Sequence, residues 1–129
     1  MPYQISVVDE VLRISLSGRL TGRDLDTTAG YTARYERDSV VPHRITDMTD
    51  VTELEIGFPD IVALAETRRR LKFPNSFKSA IIAPRSEHYG YARMFQTLND
   101  NPQISIGVFT DKAAAHQWIS GQNDFGREA

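Results

Sequence analysis

Cysteine is missing from all 129 residues. The chain therefore has no disulfide framework, no thiolate zinc site and no cysteine nucleophile, which removes several enzyme classes together. An excess of one charge is missing too. Fifteen basic and 17 acidic side chains leave a formal net charge of −2, with the signs mixed along the chain. No broad positive field gathers phosphates, so no nucleic-acid partner is expected. No apolar run approaches the ~20 residues of a membrane-spanning helix. The stretch MPYQISVVDE also lacks the basic region and apolar segment of a secretory signal. A cytoplasmic protein with no integral membrane segment is the expectation. Internal repeats, low-complexity tracts and long linkers are absent as well.

What is present is alternation. Tyr3, Ile5 and Val7 alternate with Gln4, Ser6 and Val8, and beyond Asp9-Glu10 a second alternation sets Leu12, Ile14 and Leu16 against Arg13, Ser15 and Ser17. This predicts an antiparallel hairpin with one buried face. Thr21 opens a helix with Asp24 as its capping-box partner and Leu25, Ala29 and Thr32 on its inner stripe; Gly30 and several threonines weaken it. HRITDM after Pro42 reads as a third strand. From Pro59, the positions Ile61, Leu64, Ala65 and Leu71 predict an amphipathic helix ended by Pro74-Asn75, with Arg68, Arg69 and Arg70 near its C-terminal end.

The run SAIIA, Ser79 to Ala83, is apolar on both faces, as a covered central strand should be. Ser86 caps a third helix with Tyr91, Met94, Phe95 and Leu98 at helical spacing, broken by Asn99-Asp100-Asn101-Pro102. Ile104, Ile106 and Val108 form a last strand. Asp111 then caps a helix holding Ala114, Ala115 and Trp118, closed by Gly121. The order ββαβαβαβα predicts an α/β fold: one domain over residues 1–121 with a mixed, mostly parallel five-stranded sheet and about four helices. The polar tail, 122–129, is expected to be disordered.

In open parallel sheets ligands sit beyond the carboxyl ends of the strands, where helix N-termini offer unpaired N–H groups. That rule gathers Asp47, Thr49 and Asp50, then Arg85, Ser86 and His88, and Thr110-Asp111, along one border. ITDMTDVTELEI, Ile45 to Ile56, reads as a short strand spilling into a turn on that border. Asp47 and Asp50 are either an acid–base pair or cation ligands, or, more commonly for aspartate, turn-capping groups bonded to backbone. His88 is either a general base or a half-packed surface histidine. Arg85 with the Ser86 cap either receives an anion or pairs with Glu87. Arg68-Arg69-Arg70 reads as an exposed helix end that complements the macrodipole. Tyr91, Met94 and Phe95 pack in the core or line a cavity. His43 and His116 have no metal-ligand spacing.

The phrases SGRLTGRDLD, RITDMTDV and VFTDKAAAHQWI, in this order over about residues 3–120, resemble SpoIIAA-like proteins, relatives of the STAS domain. The resemblance implies a small α/β sheet with a role in binding or regulation rather than catalysis. In STAS antagonists of anti-sigma factors, a strand ending in Asp leads to a turn and a helix that starts with a phosphorylatable serine. Asp47 takes the strand-end position here. The matching helix start, Leu54 to Pro59, holds neither serine nor threonine, and Thr49 and Thr52 lie before it, so the phospho-switch does not carry over by residue. The wider group is similar in fold to lipid-carrier domains of the SEC14 type, which implies an apolar ligand pocket.

The function expected is therefore a non-enzymatic regulatory or ligand-binding domain, with Asp47, Thr49, Asp50, Arg85, Ser86 and His88 at its binding rim. Its partner would be another protein or a small apolar or anionic ligand, without cofactor or metal, and a homodimer is the commonest assembly. The alternative is a small enzyme with His88 as base, oriented by Asp47 or Asp50. A third reading is phosphorylation at Thr49 or Thr52.

Overall fold

The computed structural model describes residues 2–36 and 40–121. The tail expected to be disordered, 122–129, lies outside the described residues. Strands β1 (Tyr3–Val8) and β2 (Val11–Thr21) form the expected hairpin, followed by α1 (Gly22–Ala33) and a 3-10 turn at Arg34–Glu36. Then come β3 (Arg44–Glu55), α2 (Phe58–Arg69), β4 (Phe77–Ile82), α3 (Ser86–Leu98), β5 (Ile104–Phe109) and α4 (Lys112–Ser120). The sheet order is β1-β2-β3-β4-β5. Among the described strands only β1 runs antiparallel; β2 to β5 are parallel. This is the mixed, mostly parallel five-stranded α/β architecture expected from the alternation.

Each parallel pair is joined through one helix to its immediate neighbour, and the right-handed rule for such crossovers puts α1, α2 and α3 on the same face. Packing agrees: Leu12, Ile14, Leu16, Met48 and Ile81 from the strands cluster with Leu25 of α1 and Ala92 and Phe95 of α3. The other face carries Ile45, Ala80 and Ile82 against Ala115 and Trp118 of α4. Strand β4 is thus covered on both sides, which explains why its sequence is apolar at successive positions.

Local chemistry sets the helix ends. Thr21 Oγ1 accepts from Asp24 N–H while the Asp24 carboxylate accepts from Thr21 N–H, completing the expected capping box. Asp111 caps α4 by accepting from Ala113 N–H at 2.9 Å, and Gly121 ends it at φ 85°. The cap of α3 is corrected: Arg85 holds the N-cap position and Ser86 is the first helical residue, with no side-chain cap. Helix α2 stops at Arg69, so Leu71 lies beyond it and is exposed.

The reading of ITDMTDVTELEI as a turn is also corrected, because β3 continues to Glu55. It leaves β4 at the pair Asp47↔Ile82 but stays on β2 through Thr21↔Glu55, crossing register shifts at Ser15/Ser17 and Gly18/Arg19. The acidic residues mimic a turn in composition. The backbone instead follows the β-branched Thr and Val positions, with Val51 buried against the core.

Gly107 of β5 marks a close approach between sheet and helix: a Cβ there would meet Phe109 Cε2 at 2.8 Å and Trp118 at 3.2 Å. Gly90 in α3 has nothing within 4 Å. Gly107→Ala should lower unfolding free energy by about 1–3 kcal/mol through overpacking, whereas Gly90→Ala should raise it by about 0.5–1 kcal/mol through helix propensity. Urea denaturation of both variants checks this; a neutral Gly107→Ala would show that α4 does not clamp this strand.

Candidate functional site

The layer between the sheet and α1–α3 is not filled. A cavity of about 150 Å³ lies there, its wall almost wholly apolar, with Ile14, Leu16, Met48, Ile81, Tyr91 and Phe95 among its lining. Its origin is visible in the side chains that face it. Helix α1 contributes Thr28, Ala29 and Thr32, β3 Thr46, β4 Ser79 and α3 Ala92. Small residues stand where larger ones would close a core to normal density. Thr28 and Thr32 are also among the threonines that make helix α1 read as weak in sequence.

The two ends of the cavity differ. Near the N-terminal ends of the strands, Arg44 of β3 and Arg68 of α2 line it, and both bind Glu36. The Arg68 guanidinium donates to both Glu36 oxygens, at 3.0 and 2.6 Å, and Arg44 Nη2 donates to Oε2. All three side chains are buried, at 4% exposure for Glu36, 7% for Arg44 and 10% for Arg68. Phe77 and Phe73 stack under the two guanidinium groups, 4.8 and 5.8 Å from ring centroid to Cζ. Burial opposes ionisation of Glu36, but the Arg68 hydrogen bonds and the Arg44 charge hold its carboxyl below the usual range. Burial and the like charge of Arg68 bring Arg44 down to about 10, so it remains a cation at neutral pH.

At the other end stands His88, in the first turn of α3 and buried. Its Nδ1 is shielded from solvent and has no hydrogen-bond partner among the described residues. Burial and the nearby Arg85 charge hold its pKa below the ordinary histidine value, keeping the ring neutral.

The residues singled out in the sequence are divided by the sheet. Arg85, Ser86 and His88 meet Thr52 to Glu55 in one cleft, where Arg85 Nη1 donates to the Thr52 carbonyl at 3.3 Å. Asp47 points to the opposite face, because Arg44, Thr46 and Met48 face the cavity and strand side chains alternate. Its Oδ1 accepts from Thr49 N–H and Oγ1, and Lys112 Nζ of α4 lies 3.3 Å from Oδ2. Those contacts outweigh burial and keep the carboxyl below its usual range. Asp50 is exposed on β3. No hydrogen bond joins His88 to Asp47 or Asp50 among the described residues, so the acid–base pair considered above is not assembled.

Arg68 corrects the reading of its basic run. Only Arg69 and Arg70 form the exposed helix end, paired with Glu66 one turn back, while Arg68 turns inward. Sequence reasoning passed over Glu36 and Arg44 entirely. The available signal was the basic residue in RITDM at a position whose alternate neighbours, Thr46 and Met48, face the core.

No protein-family model matches the chain, and no curated protein does. Among solved structures it is similar to an uncharacterized protein with a SpoIIAA-like fold from Shewanella loihica PV-4, at 18% identity and TM-score 0.56, covering 91% of each chain. It is also similar to an anti-sigma factor antagonist from Mycobacterium paratuberculosis, at 17% identity and TM-score 0.58, covering 92% of each chain. The fold is SpoIIAA-like, as the three sequence phrases implied.

Because Glu36 is the counter-ion of two buried arginines, Glu36→Gln should cost about 3–5 kcal/mol of stability. Chemical denaturation of the variant checks this. A loss below about 1 kcal/mol, the range of exposed pairs, would show that the cluster is solvated.

Proposed function

We propose that this SpoIIAA-like domain binds a small apolar molecule in the cavity between its sheet and the α1–α3 layer. The observation that carries the reading is the cavity itself. It is half-open rather than sealed, and its apolar space of about 150 Å³ is large enough to admit a benzene-sized guest. Small side chains from four different elements keep it open. His88 and the Thr52–Glu55 segment form the outer border of the site, with Arg85 and Ser86 on its rim; Asp47 and Thr49 bond each other on the opposite face, and Asp50 is exposed on β3.

1-Hexanol at about ten times its Kd should stabilise the protein by about 1.4 kcal/mol, which raises Tm by about 5 °C in a domain of this size. Ala92→Leu, which places a larger side chain into the cavity, should fold and lose that response. An unchanged wild-type Tm at every tolerated alcohol concentration would refute the reading.

A second reading, a regulatory domain that recognises a protein, is favoured by one surface observation. Phe58 and Val62, one turn apart at the start of α2, are 54% and 37% exposed. The structural neighbour from Mycobacterium paratuberculosis, described as an anti-sigma factor antagonist, supports a protein-interaction role for this fold. The simplest form is symmetric pairing of two chains through that patch. Light scattering over a range of protein concentrations would then give a dimer mass that Phe58→Ser with Val62→Ser returns to monomer. A monomer throughout would remove the homodimer.

A further inference from the structure

The cavity has a charge address at its inner end. Glu36 supplies one negative charge and Arg44 and Arg68 two positive ones, so the buried cluster carries a net +1 among the described residues. An uncompensated interior charge is costly. The two arginines also differ. Arg68 is bidentate on Glu36, whereas Arg44 uses Nη2 alone. Its Nε–H is fully buried and has no hydrogen-bond partner among the described residues. A buried charged donor without an acceptor calls for an explanation in a native structure. Arg44 and Arg68 both line the same apolar cavity, and Ser79, paired in register with Arg44 across β3 and β4, lines it beside them.

We propose that the ligand of this cavity is a small carboxylic acid, its apolar body against Ile14, Met48, Ile81 and Phe95 and its carboxylate seated at Arg44 and Arg68. This rests on the ligand-binding reading above and specifies the ligand's chemical class. A carboxylate supplies the missing negative charge and an acceptor for the Arg44 N–H groups that Glu36 does not take. The planar guanidinium presents several N–H donors in a fixed fork that suits a carboxylate, and the Ser79 hydroxyl is a further donor within the same wall. The aromatic rings of Phe77 and Phe73 lie against the guanidinium groups and limit their freedom before a ligand arrives. The size of the void favours a body of about six carbons, by comparison with benzene-sized guests in cavities of similar volume. At neutral pH such an acid is ionised and Arg44, at about 10, is protonated.

Hexanoate and 1-hexanol share a chain and differ in head group, which separates this inference from the reading beneath it. In the wild-type full chain, NMR titration should show hexanoate binding about tenfold to a hundredfold more tightly than 1-hexanol, the range expected for charged hydrogen bonds. Arg44→Met leaves the neutral Glu36–Arg68 pair in place. It should remove that preference, and Arg44→Lys should recover part of it. Should Arg44→Met not fold, the wild-type comparison and Arg44→Lys decide the matter. If 1-hexanol binds and hexanoate binds no better, the acid assignment is overturned while the cavity keeps its function. If neither binds, both fall. Loss of the preference with Arg85→Gln instead of Arg44→Met would move the acid to the opposite end of the cavity and overturn the assignment.

Discussion

A single carboxylate, Glu36, joins three parts of the chain that share no sheet pairing with one another. It follows α1, and its partners Arg44 and Arg68 begin β3 and end α2. Two helices that must stand apart enough to leave a void between them and the sheet are thereby tied at one end by charge rather than by apolar packing. A closed hydrophobic contact at that position would pull the layers together. A hydrogen-bonded ionic cluster fixes their separation, since its geometry is directional and its loss leaves charges stranded in the interior. The open space and the cluster are therefore parts of one arrangement.

The broad architecture was legible because it rests on short-range patterns. The hairpin follows from two alternations around Asp9-Glu10, and both of those residues adopt positive φ to make the tight reversal. The Thr21–Asp24 capping box and the Asp111 cap are local chemistry, readable within four residues. The apolar run of β4 signals cover on both faces, and the structure supplies α3 on one side and α4 on the other. What was not legible depends on contacts distant in sequence. Arg68 is indistinguishable from Arg69 and Arg70 until Glu36, 32 residues earlier, is placed beside it. The length of β3 was hidden because Asp50, Glu53 and Glu55 suit a turn as well as an exposed strand face, and only pairing with Gly18 to Thr21 decides between them.

The candidate border was legible in part. The rule that ligands approach the carboxyl ends of parallel strands gathered Arg85, Ser86 and His88 with Asp47, Thr49 and Asp50, whereas the structure sets Arg85, Ser86 and His88 beside Thr52 to Glu55. It could not show that Asp47 belongs to the opposite face, because it groups residues by strand end and takes no account of the alternation that sends Arg44, Thr46 and Met48 inward. Nor could it show a hollow. A void is written in the sizes of residues from separate elements, such as Thr28, Thr46, Ser79 and Ala92, and each of them is unremarked alone.

Beyond Asp47, β3 runs on with a neighbour only on the β2 side. Among the described residues no strand pairs with the outer margin of this overhang, where only Arg85 reaches a carbonyl, that of Thr52, and such a ribbon is one on which a stray chain can template itself. Its exposed side chains include Asp50, Glu53 and Glu55, so two copies meeting margin to margin would set carboxylates against carboxylates. The overhang thus carries its own guard against fibrous stacking.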